Sequence, residues 1–247
     1  GSAAGVLTFL NLRLATKQSR TPSPEIIYGL DEDGDTPLPS TTVPPVSASV
    51  RRAPLPVAII VGLLGAFAGW GLTETFLRYL YQVPFGAADP LFGRDIAFYV
   101  FTLPALNWIS TLLFMILLAN IIGAAAIYLA GINYKINPRT QKLTNFAFPR
   151  KGRAHLLGLT AAILLLIAGK TLLSVWHLPI TPNMGFFGAN FADVNALLPL
   201  LWAQIAAAIV AAMLAVVSIF RQNNRLFLAG AALLVLTTAA GWAYPAL

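Results

Sequence analysis

Ala105-Leu-Asn-Trp-Ile-Ser-Thr-Leu-Leu-Phe-Met-Ile-Leu-Leu-Ala-Asn-Ile-Ile-Gly-Ala-Ala-Ala-Ile-Tyr-Leu-Ala-Gly-Ile132 contains no charged side chain. About 20 such residues, rising 1.5 Å each, cross a hydrocarbon core of roughly 30 Å as a helix. A helix also satisfies its own backbone where no water can. Four more segments read the same way. Residues 56 to about 81 carry charge only at Glu74 and Arg78, close to the segment's end. Residues 154–178 are interrupted only by His155, Lys170 and His177, while 196–220 and 226–247 are uncharged. The expectation is an all-α polytopic integral membrane bundle with five full spans, at about 56–81, 105–132, 154–178, 196–220 and 226–247. Ala3 to Ala15 is too short to cross unaided, so residues 1–15 read as the end of a transmembrane helix whose beginning is missing.

Composition agrees. The 247 residues are 57% hydrophobic and 10% charged, against about 25% charged in soluble domains. That leaves too little polar material to clothe a water-facing globule, which excludes a soluble enzyme, a nucleic-acid module and a disordered chain. The net charge of +7 forms no basic face with interleaved aromatics, so it points to membrane topology and anionic lipid rather than nucleic acid. Cys is 0, which removes disulfides, thiolate metal sites and cysteine nucleophiles. Residues 1–12 lack the basic start and cleavage site of a secretory signal.

The basic residues also set a sidedness. Arg13, Lys17, Arg20, Arg51 and Arg52 precede the first full span. Lys135, Arg139, Lys142, Arg150, Lys151 and Arg153 separate the second from the third, and Arg221 and Arg225 the fourth from the fifth. All fall on one side, the expected cytoplasmic side; residue 247 is then at the outer face. Trp108, Trp176, Trp202, Trp242 and Tyr244 fall in the outer part of their spans, as an interfacial belt does. Arg78, Arg94 and Lys170 are the exceptions among the cations.

Residues 16–55 read as a Pro-rich cytoplasmic linker that cannot bury a core. Its acidic string Asp31-Glu-Asp-Gly-Asp35 lacks the glutamate that a calcium loop needs at position twelve, where Thr42 stands. The outer loops are aromatic and turn-rich. In the first, Asp95 is placed to cap a short amphipathic helix carrying Ile96, Tyr99 and Val100, expected to lie in the interface before the next span.

Two strings in these loops carry a resemblance. Val83-Pro-Phe-Gly-x-x-Asp-Pro-Leu-Phe-Gly-Arg-Asp-Ile-x-Phe-Tyr-x-Phe-x-Leu-Pro104 closely resembles a signature of uncharacterised protein family 0182, a group of bacterial and cyanobacterial multi-pass membrane proteins. Gly185-Phe-Phe-Gly-Ala-Asn-Phe-Ala-Asp-Val-Asn-Ala-Leu-Leu-Pro199 is similar to that family's second string, with Asn190-Phe-Ala192 replacing a Ser-Tyr-Thr. The resemblance covers roughly residues 5–247. It implies seven spans and a large extracytoplasmic domain after the last, so this chain corresponds to the N-terminal membrane region. It implies a bacterial cell membrane or internal membrane, and no catalytic residues.

The candidate residues each have a plain structural use beside a functional one. Intramembrane ionisable groups are functional candidates by default. Lys170 is an ion, proton or anionic-lipid site, or else a snorkelling lysine, or one paired with Glu74. Glu74 and Arg78, spaced i,i+4, neutralise each other on one helix face. His177 is a candidate ligand for a metal, haem or chlorin, although an interfacial histidine is more ordinary; His155 lies about 33 Å away along the helix, too far to share a metal. Asp89, Arg94, Asp95, Asp193 and Asn195 belong to the outer-loop motifs. The three aspartates would converge if those loops pack together, though turns and caps account for each singly. Gly62, Gly65 and Gly69 form a small-residue helix face, and Ala207-x-x-x-Ala211 another; packing within the chain is the simpler use of both.

The sequence therefore favours a non-enzymatic integral membrane scaffold, or an accessory subunit of a larger membrane complex. Its expected partners are lipids and other membrane subunits, and its expected cofactors are at most lipids or pigments held at those interfaces. The alternative is a transporter or channel with Lys170 and Glu74 in the pathway.

Overall fold

The structure is a computed structural model. It describes residues 1–19, 29–30, 37–38, 52–130, 134–136, 143–146, 150–183, 186–221 and 224–243. Most of the expected linker, with its acidic string, lies outside the described residues, as does residue 247.

Among the described residues six α-helices form the body: α1 Ser2–Gln18, α2 Pro54–Leu80, α3 Leu103–Ala130, α4 Arg150–His177, α5 Leu198–Arg221 and α6 Asn224–Ala243. Five of them, α2 to α6, are long and apolar enough to cross a membrane. The all-α membrane bundle with an additional N-terminal helix is therefore the architecture. Among the described residues, three short antiparallel strand pairs lie in the connections: β1 Gly29–Leu30 with β2 Pro37–Leu38, β3 Tyr134–Ile136 with β4 Leu143–Phe146, and β5 Pro182–Asn183 with β6 Phe186–Phe187.

Prolines mark the helix starts. Pro54 opens α2 in the first turn, where the missing N–H has no intrahelical partner to lose. α3 and α5 begin differently from expectation. Each grows out of a π-helical turn, Phe98–Thr102 before α3 and Asp193–Leu197 before α5. In both, the leucine N–H reaches back five residues, Leu103 to the carbonyl of Phe98 and Leu198 to that of Asp193. The next residue is a proline each time, Pro104 and Pro199. The wider turn lets the helix continue across a residue that cannot donate. The separate interfacial helix expected after Asp95 is therefore a correction. Ile96 to Val100 lead directly into α3, because the π turn carries the helix past Pro104 without a break.

α1 is wedged against α2 and α3, α4 packs on α3 and α5, and α6 packs on α5. Lipid solvates leucine as well as a neighbouring helix does, so close backbone approach rather than hydrophobic burial selects these seams. Gly5 and Gly62 face each other; a Cβ on Gly5 would lie 3.1 Å from the Ala58 carbonyl oxygen. Gly65 meets Ala4. Gly69, the third glycine of that expected face, has nothing within 4 Å of an added Cβ and takes no part. On the other side, Ala207, Ala208, Ala211, Ala212 and Ala215 are buried on α5, the last three of them meeting Ala161 and Leu164 of α4. Large apolar side chains such as Phe67 and Trp70 point outward, 85% and 87% exposed.

Candidate functional site

At the end of the bundle opposite the Arg- and Lys-bearing termini, residues 81–97, 178–183 and 186–192 form a rim around a cleft of about 650 Å³. One wall comes from Asp89, Ile96 and Val100, the other from Ile180, Phe187 and Val194. Tyr99 lies between them.

The first loop is built around its two carboxylates. Asp89 accepts from the backbone N–H groups of Leu91 (2.8 Å), Phe92 (2.7 Å) and Arg94 (2.9 Å), and from the Tyr99 hydroxyl at 2.7 Å. Asp95 accepts from the N–H groups of Phe85 (3.1 Å), Gly86 (2.9 Å) and Ala97 (2.7 Å). Gly86 and Gly93 stand at φ +71° and +65°, a region that side-chain-bearing residues avoid. Those two positions turn the backbone so that its amides converge on the carboxylates. The string Phe-Gly-x-x-Asp-Pro-Leu-Phe-Gly-Arg-Asp thus has a geometric reading: two glycines supply the bends and two aspartates collect the amides.

Burial pushes the Asp89 carboxyl up, but the amides of Phe92, Arg94 and Leu91 and the Tyr99 hydroxyl together hold it below the usual value. The amides of Ala97 and Phe85 do the same for Asp95. Depressed carboxyls stabilise a fold above their unfolded values and lose that contribution as pH falls through the folded ones. The rim is therefore expected to stay closed at neutral pH and loosen only below the ordinary carboxyl value of 3.8. Hydrogen exchange at the Leu91, Phe92 and Arg94 amides checks this; exchange that accelerates already near pH 6 would contradict it.

Arg94 ties the first loop to α4. Its guanidinium lies 4.4 Å from the Phe98 ring centroid and 4.5 Å from that of Trp176, and the two rings pack edge to face at 5.3 Å. The cation therefore rests on aromatic faces. In the second loop, Asp193 and Asn190 cap each other: Asn190 N–H donates to Asp193 Oδ2 at 2.9 Å and Asp193 N–H to Asn190 Oδ1 at 2.7 Å. Asn195 Nδ2 donates to the Phe191 carbonyl oxygen at 2.8 Å. The two loops do pack around one cleft, but each aspartate is engaged in its own loop.

The intramembrane candidates separate. Arg78 donates to Glu74 at 2.5 Å, with both side chains exposed. Lys170 Nζ donates to Thr111 Oγ1 at 2.9 Å and lies 5.9 Å from the Phe114 centroid, so it is directed to α3 rather than to Glu74. His177 Nε2 accepts from Asn107 Nδ2 at 2.6 Å, joining α4 to α3 beside the rim. Among the described residues no three His, Cys, Asp or Glu side chains gather as a metal site.

One polar cluster escapes the sequence reading altogether. Asn11 and Gln18 of α1 meet Tyr128 of α3 and His155 of α4. The available signal was spacing: Asn11 and Gln18 are seven residues apart, Asn120 and Tyr128 eight, so each pair lies on one helix face. No such pattern reveals that the two faces meet.

The fold and the rim define a polytopic α-helical membrane protein with a shaped, apolar-walled cleft at one end. The chain belongs to the Uncharacterised protein family (UPF0182), whose model matches residues 1–247. A protein of that family from Corynebacterium efficiens is 34% identical over 195 residues, 78% of this chain and 19% of the relative. One from Synechococcus sp. (strain JA-3-3Ab) is 38% identical, covering 58% of this chain and 16% of the relative. One from Cupriavidus necator is 37% identical, covering 80% and 21%. The chain thus spans about a fifth of the length of these curated relatives. No solved structure matches it.

Proposed function

We propose that this membrane bundle is a non-enzymatic scaffold or accessory subunit, whose rim cleft receives part of a partner in a larger membrane assembly. The observation that carries the reading is the manner in which the rim is built. Its aspartates are turned into the loop backbone, leaving walls of Ile96, Val100, Ile180 and Phe187 facing the cleft. Rigid, apolar and preformed, such a cleft suits holding a group better than transforming one. A transport pathway would run through Lys170 and Glu74, which are bonded to Thr111 and Arg78 instead.

The same reading places the basic ends of the helices in the cytoplasm and the rim outside. With Cys 0 in the chain, single cysteines report this cleanly. Ala88→Cys in intact cells should react with an impermeant maleimide, and Arg225→Cys only after lysis. For the scaffold itself, mild-detergent purification should yield a stoichiometric membrane complex that Ile96→Asp disperses and Phe67→Ser leaves intact. A monodisperse chain that conducts ions in liposomes, with conduction lost in Lys170→Ala, would overturn it.

A further inference from the structure

We propose that α1, α3 and α4 enclose a proton-binding site at His155, reached from the basic end of the bundle through Gln18 and Tyr128. The inference goes beyond the scaffold reading and does not depend on it.

Asn11 Nδ2 donates to the backbone carbonyl of Asn120 at 3.3 Å. A carbonyl only accepts, so the orientation of the Asn11 amide is set and its Oδ1 faces His155 Nε2, 2.8 Å away. His155 Nε2 therefore carries a hydrogen. In the neutral ring Nδ1 is then an acceptor, and its partner is the Tyr128 hydroxyl at 2.8 Å. That hydroxyl also lies 2.8 Å from Gln18 Oε1, to which it donates. Tyr128 has one proton and faces two acceptors.

Two arrangements satisfy every group. With His155 neutral, Tyr128 donates to Nδ1 and Gln18 turns its amide N–H toward the phenol oxygen. With His155 protonated, Nδ1–H donates to the phenol oxygen and Tyr128 donates to Gln18 Oε1. The structure has the second geometry at Gln18. Uptake of one proton at Nδ1 leaves Tyr128 with its own proton, reverses the direction of its hydrogen bond and places one positive charge on the ring. In the same step the Gln18 amide turns, its N–H leaving the phenol oxygen and its Oε1 taking the Tyr128 hydroxyl.

The surroundings make these oxygens necessary. From α1 the ring faces Asn11, and beyond Tyr128, Gln18; from α3 it faces Tyr128, whose ring is edge-to-face with it at 5.9 Å. Among the described residues the charged groups on the same end are all cations. Arg13 and Lys17 of α1, Arg52 before α2, Arg150 and Lys151 of α4 and Arg221 of α5 are exposed. Arg153 of α4 donates to the Ser218 carbonyl of α5. With no carboxylate bonded to it, a protonated His155 is held only by Asn11 Oδ1 and the Tyr128 oxygen.

The track also continues inward. Asn120 Nδ2 donates to Thr8 Oγ1 at 3.2 Å and to the Ile116 carbonyl at 2.7 Å. Its Oδ1 has no partner among the described residues although Asn120 is only 4% exposed. From Gln18 to Thr8 is about 15 Å along α1, roughly half a hydrocarbon core. A buried bare acceptor at that depth is costly unless a donor reaches it.

The test uses the full chain reconstituted in phosphatidylglycerol–phosphatidylcholine bilayers, with ¹⁵N-labelled histidine observed by solid-state NMR. The chain has His 2, so His177→Gln leaves His155 as the single signal. The expected ring is protonated on Nε2 alone at pH 8 and on both nitrogens at pH 4.5. Tyr128→Phe should move that conversion to lower pH by half a unit or more, about threefold in proton affinity. A neutral ring protonated on Nδ1, a ring still neutral at pH 4.5, or a conversion indifferent to Tyr128→Phe would each overturn the site. Should His177→Gln not fold, the difference between wild type and His155→Asn isolates the same signal.

Discussion

Asp89→Ala should cost the rim about 3–4 kcal/mol, because it removes a buried charged acceptor from four donors at once. Leu91, Phe92 and Arg94 N–H groups and the Tyr99 hydroxyl would be left facing one another across a small gap. Tyr99 is only 5% exposed, so its hydroxyl could regain a partner only through water entering from the cleft that it lines. The loss should spread to Arg94, whose position over Phe98 and Trp176 depends on the turn that Asp89 closes. Asp89→Asn keeps the shape but turns a donor toward donors, and should fall between wild type and alanine. The measurement is thermal unfolding in lipid nanodiscs together with amide exchange over residues 86–97. Unchanged exchange in Asp89→Ala would show that the loop is held by something other than its carboxylate.

The second large effect is expected at Gly230→Leu. A Cβ at this position would lie 2.9 Å from Ala211 Cα and 3.3 Å from Ala211 Cβ. The obstacle is the backbone of α5, so no rotamer change relieves it, and overpacking of this kind costs about 2–3 kcal/mol. α6 would be pushed from α5, weakening the bond from Gln204 Nε2 to the Thr237 carbonyl, now 3.2 Å. A cysteine pair at Ala207 and Leu234 should then crosslink more slowly. Gly69→Leu serves as the comparison, because an added Cβ there meets nothing within 4 Å. Equal behaviour of the two variants would sink the close-packing account of the α5–α6 seam.

These two cases show what could be read before folding. The rim motif was visible as text, since Gly86, Asp89, Gly93 and Asp95 are close in sequence and act locally. Their roles as bends and amide collectors follow from residue type. The glycine face of α2 was visible too, but only Gly62 and Gly65 meet α1. Periodicity reveals a face and not its partner. Lys170 and Glu74 share an approximate depth in sequence, yet their side chains leave α4 and α2 toward different neighbours. The π turns before Pro104 and Pro199 were illegible for another reason: a proline signals a break, and only the backbone of the preceding five residues shows how the helix passes it.

What the sequence determined by itself is the solvent and the element list. Uncharged runs long enough to cross a bilayer can be solvated only by lipid and can satisfy their backbones there only as helices. That conclusion needs no neighbour. The tertiary structure alone decided which polar groups meet. Asn11, Gln18, Tyr128 and His155 lie on three helices up to 144 residues apart, and each alone is an unremarkable side chain near a helix end. In lipid, the helices are sorted by close approach at small residues and by buried hydrogen bonds between partners. Both depend on the crossing of two surfaces, which no single stretch of chain contains.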